Sequence, residues 1–249
     1  MSSLPSADPR PIPILVYHQI EESPPRGAAF RSLMVSPAAF SRQMGFLRLL
    51  GYQGLSMSAL MPYLRGERCG KVVGITFDDG YLNNLTNALP VLRQCGFSST
   101  CYVVSQRLGQ LNDWDRHRGV APAALMSPSD LQQWLTAGQE IGAHSRHHAR
   151  LTQLGADSAA EEITLCKTEI ESVTQCEIRH FCYPYGDYAA EHVLGARAAG
   201  FESATTTRRG RCHAGEDLLQ LPRVPIVRSS TLPVLWLKVA SAYEDRRRA

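Results

Sequence analysis

The sequence predicts an α/β fold built on a parallel sheet, closed into a barrel or doubly wound, and three observations carry that expectation. Strand-like and helix-like segments alternate from one end of the chain to the other. The 249 residues are 44% hydrophobic and 20% charged, enough for one sizeable core. No repeat, low-complexity tract or linker interrupts the pattern, so a single domain over 1–249 is expected, with 1–10 and 244–249 as flexible ends.

The elements follow in order. "PILVYH" (13–18) reads as a strand, and after a polar, proline-containing loop Ser36-Pro37 reads as an N-cap with proline in the first turn. Phe40, Met44 and Leu47 then fall on one helical face, closed by Gly51. "VVGITF" (72–77) is a strand ending in Asp78-Asp79-Gly80, followed by a helix with Leu82, Leu85, Leu89 and Leu92 on one side. "SSTCYVV" (98–104) is a strand, and the connection after it is long enough to suggest a functional loop. "SPSD" (127–130) is a capping box ahead of Leu131, Trp134 and Leu135, with Trp134 spaced for the core. "EIGAHS" (140–145) is a strand; Asp157-Ser158 reads as the cap of a helix bearing Ile163, Cys166, Ile170 and Val173. "IRHFCYPYG" (178–186), "AAEHVLGARAAG", "FESATT", "LPRVPIV" and "LPVLWLKVASAY" complete the alternation as strand, helix, strand, strand and helix.

Composition excludes several classes. Lys plus Arg is 26 against 23 Asp plus Glu, and the small excess includes the terminal Arg246–Arg248, so there is no nucleic-acid footprint. No apolar run approaches the roughly 20 residues that span a bilayer. The first residues show no basic segment followed by an apolar one, which points to the cytoplasm unless an export signal precedes this sequence. The seven cysteines are odd in number and scattered, and read as buried thiols in a reducing compartment.

The polar clusters sit where strands end: His18, then Asp78 with Asp79, then His144, then Tyr185. In parallel α/β folds those ends share one face, where active sites gather. "HSRHH" holds His144 and His148 four apart, so on a helical turn both imidazoles would reach one metal while His147 faces elsewhere. Two adjacent carboxylates then suggest a division of labour, one ligating the metal and the other taking the proton of the water it activates. The plainer alternative is that the aspartates cap the next helix, which accounts for one of them.

With "TFDDG" (76–80), "HSRHH" (144–148) and "YPYG" (183–186) in this order, the chain resembles the polysaccharide deacetylase family, the NodB-homology enzymes of carbohydrate esterase family 4. Through "PILVYHQI" and the "NDWD" loop (112–115) it is most similar to the branch acting on poly-N-acetylglucosamine-type exopolysaccharide. The resemblance covers about residues 11 to 228 and implies a distorted (β/α)7 barrel that removes acetyl groups from an N-acetylated glycan. It further implies Asp78 as general base and Asp79, His144 and His148 as ligands of a divalent metal, zinc first, with cobalt or nickel as alternatives. Tyr185 falls where a backbone N–H helps bind the oxyanion, and Tyr183, Pro184 and Trp114 are expected to contact the sugar.

Two departures from the family pattern matter. An arginine is expected three positions before Tyr185, where Cys182 stands, and the C-terminal strand lacks the histidine that serves as general acid. Arg223 or Arg228 is therefore assigned the missing charge beside Asp78, and His18 the role of acid, with His213 a weaker candidate. Asp113 and Asp115 read as loop-solvating, and "TRRGR" (207–211) as a solvated loop unless the substrate bears phosphate. The alternatives are a C–N hydrolase acting on a small cyclic amide, which the complete Asp-His-His set speaks against, and a silent carbohydrate-binding protein.

Overall fold

The structure, a computed structural model, describes residues 10–248. Ten strands alternate with seven α-helices: β1 Ile14–Tyr17, β2 Gln19–Ile20, β3 Met34–Val35, α1 Pro37–Leu49, β4 Gln53–Leu55, α2 Met57–Leu64, β5 Val72–Phe77, α3 Leu89–Cys95, β6 Thr100–Val103 and α4 Pro128–Thr136. The chain continues as β7 Glu140–Ala143, α5 Ala156–Thr174, β8 His180–Cys182, α6 Ala190–Ala198, β9 Ser203–Arg209, β10 Leu221–Pro225 and α7 Leu232–Ala240. The main sheet runs β1-β10-β9-β8-β7-β6-β5-β4, and β1 also pairs with β5, closing seven strands into a ring. Every pairing in it is parallel. This is the distorted (β/α)7 barrel that the resemblance implied. Its irregularity lies at β5, which gives one edge to β1 and divides the other between β4 at Val72–Gly74 and β6 at Thr76–Phe77.

Sequence chemistry sets the helix starts. The Ser36 hydroxyl accepts from the Ala39 N–H at the head of α1, and Ser127 with Asp130 forms the expected capping box on α4. Trp134 is fully buried and its indole N–H donates to the Glu140 carbonyl, as its spacing foretold. Three expectations need correction. α5 starts at Ala156 with Gly155 as its N-cap, two residues before Asp157, which leaves Asp157 in the first turn beside the helix N-terminus. The leucine-marked helix after β5 opens as a wide π-type turn over Asn84–Ala88 before α3. Of the cysteines, Cys69 and Cys176 are exposed.

Residues 1–9 of the expected N-terminal end lie outside the description, but 244–248 is held against the barrel. Glu244 is fully buried, with its carboxylate between Arg209 at 2.7 Å and Lys238 at 3.0 Å, and Asp245 takes Arg211 at 2.7 Å. Burial opposes ionisation of Glu244, but Arg209 and Lys238 outweigh it and lower its pKa. A lowered folded-state pKa stabilises the fold above the unfolded value, and that contribution fades as pH falls through the folded value. Glu244→Gln should therefore cost on the order of 2 kcal/mol in urea unfolding near pH 7, and the difference from wild type should shrink as the acid range is entered. An equal deficit at all pH values would show that Glu244 acts by packing alone.

Candidate active site

A cavity of about 90 Å³ opens where the strands end, and His18, Asp78, Asp79, His144, His148 and Tyr185 all face it. They follow β1, β5, β7 and β8, so parallel topology alone explains the convergence. Backbone strain is concentrated there. Six non-glycine residues among those described have positive φ: Phe30, Asp79, Ser145, His148, Gln175 and Tyr185. All but Gln175 line the cavity or belong to the 144–148 turn that does.

Asp78 continues the pleat of β5 and meets Arg223 of β10. The guanidinium donates to both carboxylate oxygens, at 2.6 and 2.7 Å, to the Thr76 hydroxyl at 3.2 Å, the Thr206 carbonyl at 2.9 Å and the Cys182 sulfur at 3.2 Å. All five guanidinium N–H groups are thus engaged in a residue only 1% exposed. A register shift between β10 and β9 sets this up: Leu221 pairs with Thr205, but Arg223 pairs with Arg209. Burial opposes ionisation of Asp78, and the Arg223 charge more than offsets it, lowering its pKa. Of the two arginines assigned the missing charge, Arg223 supplies it. Arg228 lies elsewhere, its N–H on the Ser32 carbonyl.

Asp79 departs from the strand. Its φ of 75° swings the carboxylate away from Arg223 and toward the histidines, so neither aspartate serves as the helix cap of the plainer reading. The Nε2 atoms of His144 and His148 stand 3.5 and 3.3 Å from Asp79 Oδ1. His144 Nδ1 is 2.7 Å from the Cys182 carbonyl, which fixes its Nδ1–H tautomer and leaves Nε2 as the free lone pair. Burial disfavours the Asp79 charge, yet the two imidazoles hold its pKa well below the usual carboxylate range.

The histidines converge by a route other than the helical turn expected. Residues 144–148 form a bend with Ser145 and His148 in the left-handed region, at φ 62° and 59°. The Ser145 hydroxyl accepts from the His148 N–H at 3.0 Å. Glu162 of α5 reaches across to accept from the N–H groups of Arg146 and His147 at 2.9 and 3.0 Å, and pairs with His147 Nδ1 at 2.5 Å. So His147, which does face away from the metal position, anchors the turn.

The walls come from the long loop and the "YPYG" motif. Trp114 stacks on His148 at 4.6 Å, and Tyr185 meets the same imidazole edge-on at 4.4 Å. Gly186 makes that Tyr185 position possible, since a Cβ there would lie 1.9 Å from the Thr207 hydroxyl. Tyr183 and Pro184, expected to touch the sugar, are buried and do not line the cavity: the Tyr183 hydroxyl donates to the Leu219 carbonyl and its ring stacks on Tyr188 at 4.5 Å. His213 pairs with Asp245 away from the site. Sequence reasoning missed Tyr81, whose hydroxyl accepts from Asn112 at 2.8 Å and whose pKa is driven up by burial and then by Asp79. It also undervalued Asp115, which is buried and lines the cavity. The signal was the asparagine and second aspartate of "NDWD" around its tryptophan.

Among the described residues, two groups of side chains could in principle hold a cation. Asp79, His144 and His148 fit one, with ligand atoms within 4.8 Å of each other and two imidazole nitrogens aimed at one carboxylate oxygen. Asp78, His144 and Cys182 do not, because both Asp78 oxygens and the Cys182 sulfur face the guanidinium of Arg223, which would repel the ion.

The polysaccharide deacetylase pattern matches residues 65–204, more than half of the chain. This protein belongs to that family. YxkH of Bacillus subtilis (strain 168), a candidate polysaccharide deacetylase, is 26% identical over 220 residues, 88% of this chain and 72% of that one. Among solved structures, the Streptococcus pyogenes deacetylase PplD in complex with acetate superposes with a TM-score of 0.81 at 25% identity, covering 93% of this chain and 99% of that one. BA0330 of Bacillus anthracis gives 0.77 at 27% identity, over 92% and 69%. IcaB from Ammonifex degensii, at 23% identity and a TM-score of 0.79, shares the fold. The deacetylase pattern contains Asp78, Asp79, His144, His148 and Tyr185 but neither His18 nor Arg223.

If Glu162 holds the ligand turn, Glu162→Gln should weaken zinc or cobalt binding by about 10- to 100-fold in competition with a chelator, with little change in melting temperature. His147→Ala, which keeps both backbone hydrogen bonds, should cost less. Unchanged affinity in Glu162→Gln would sink the idea.

Proposed function

We propose that the protein is a metal-dependent hydrolase that removes N-acetyl groups from an N-acetylglucosamine-containing oligo- or polysaccharide. One observation carries the reading: two adjacent aspartates are held in different electrostatic settings on one cavity, Asp79 between two imidazoles and Asp78 in the fork of an arginine. A divalent cation held by Asp79, His144 and His148, with zinc favoured and cobalt or nickel as alternatives, would polarise an amide carbonyl and acidify water. Asp78, kept ionised by Arg223, is the acceptor for the proton of the attacking water. His18, half-buried on the cavity wall, donates a proton to the departing amine. The Tyr185 N–H, on a residue in the left-handed region, is the donor proposed for the developing oxyanion.

The acetate bound by the Streptococcus pyogenes relative supports an acetyl leaving fragment. The two stretches that resemble the poly-N-acetylglucosamine branch, "PILVYHQI" and "NDWD", both reach the cavity through His18, Gln19, Asn112, Trp114 and Asp115, which favours an N-acetylglucosamine polymer. The silent-binder alternative rested partly on Cys182, and Arg223 removes that support by filling the charge from another strand.

Acetate release from N-acetylglucosamine oligomers should vanish on chelation, return with zinc or cobalt, and be lost in Asp78→Asn. His18→Ala should lower kcat by about 10²- to 10⁴-fold; unaltered turnover would remove it as the acid. Because Arg223 lowers the Asp78 pKa, Arg223→Ala should shift the acidic limb of kcat/KM to higher pH, and an unmoved limb would separate that arginine from the base.

A further inference from the structure

A second groove, of about 530 Å³, runs beside the cavity and shares Trp114, Asp115, His148 and Tyr185 with it. Its remaining wall is mainly cationic or protonatable: His117, Arg118, His147 and Arg150. The carboxylates nearby are already used. Asp115 meets Arg118 at 3.3 Å, and Glu162 holds His147. Arg150 differs. Its guanidinium lies over the Tyr185 ring, 4.0 Å from the centroid, and among the described residues no carboxylate pairs with it and no acceptor takes its side-chain donors.

The same Arg118 lies 4.6 Å over Phe30, which lines the adjoining cavity. The chain as a whole is close to balance, with 26 basic and 23 acidic residues. A planar guanidinium with unused donors, fixed over an aromatic face, is suited to a carboxylate or phosphate.

We propose that this groove is a subsite for an anionic substituent, a carboxylate or phosphate on a sugar next to the N-acetylated one, and that Arg150 is its specificity-determining residue. The inference rests on the deacetylase reading of the adjoining cavity and narrows it, because an unsubstituted N-acetylglucosamine polymer offers Arg150 neutral acceptors but no negative charge to pair with.

The test uses the zinc-loaded full chain and matched N-acetylglucosamine oligomers that are unsubstituted, carboxylated or phosphorylated. At low salt, kcat/KM for one anionic series should exceed the neutral one by about tenfold or more, and the gain should fall as ionic strength rises. The series with the larger gain identifies the anion. Arg150→Gln should remove most of that ratio through KM, and Arg150→Lys should keep part of it. Equal kcat/KM on neutral and anionic oligomers, or equal losses on both in Arg150→Gln, would overturn the proposal. If wild type hydrolyses none of them, the deacetylase reading fails, and calorimetric binding still decides the subsite: a charge preference lost in Arg150→Gln supports it, and equal affinities reject it.

Discussion

The buried fork between Arg223 and Asp78 is the contact on which the rest of the structure depends. From β10 the guanidinium reaches Thr76 and Asp78 on β5 and its end, Thr206 on β9 and Cys182 on β8, so one side chain ties four of the seven ring strands across the barrel interior. Removing one partner of such a pair leaves the other charge uncompensated in a low-dielectric interior, typically at a cost of roughly 3–5 kcal/mol. Closure of the ring and ionisation of the candidate base are therefore the same interaction. A carboxylate free to move or to take up a proton at that position would also be a weakness in the barrel itself.

This constraint explains why two aspartates can stand side by side. Two like charges on adjacent residues repel unless each has its own counter-field. The strand geometry sends Asp78 inward to Arg223, and the left-handed backbone at Asp79 sends the next carboxylate to His144 and His148. Their environments are separated by a single strained residue. Strain at Ser145, His148 and Tyr185 does comparable service, turning side chains into the cavity that a regular strand or helix would point elsewhere. Glu162, Ser145 and Gly186 are what make those conformations tolerable.

Much of this was legible in the sequence because strand ends carry the chemistry. His18, Asp78, Asp79, His144 and Tyr185 each close a recognisable apolar run, and a parallel sheet brings such ends together whatever their order in the chain. His144 and His148 of "HSRHH" were expected to converge through helical spacing; a left-handed bend brings their ring nitrogens together instead, and such bends leave little trace in periodicity. The gap at Cys182 led to Arg223, but only alongside Arg228, since a local motif cannot reveal which strand lies across a closed barrel. Tyr183 misled for a related reason: it neighbours a site residue in sequence, but its ring turns outward to Tyr188 and Leu219, away from the barrel's open end. Two short elements escaped notice altogether: β4, of three residues, and α2, of eight with Pro62 inside it.

The charges at this site fall into two kinds, and the difference bears on what each can do. Those on the floor are buried and matched: Asp78 with Arg223, Asp79 with two imidazoles, and Glu162 with the turn beneath them. They belong to strands and to the helix behind, and water cannot screen them, so they suit steps in which charge develops at a fixed atom. Those on the rim are exposed or half-exposed, sit on the loops after β6 and β7, and include Arg150, which no carboxylate of the described residues neutralises. Screening by salt makes them weak contributors to stability, yet their side chains can be changed without breaking a buried pair. The proposed chemistry thus rests on buried, paired groups, and the proposed preference for an anionic substituent on rim charges that can be changed at less cost to the fold.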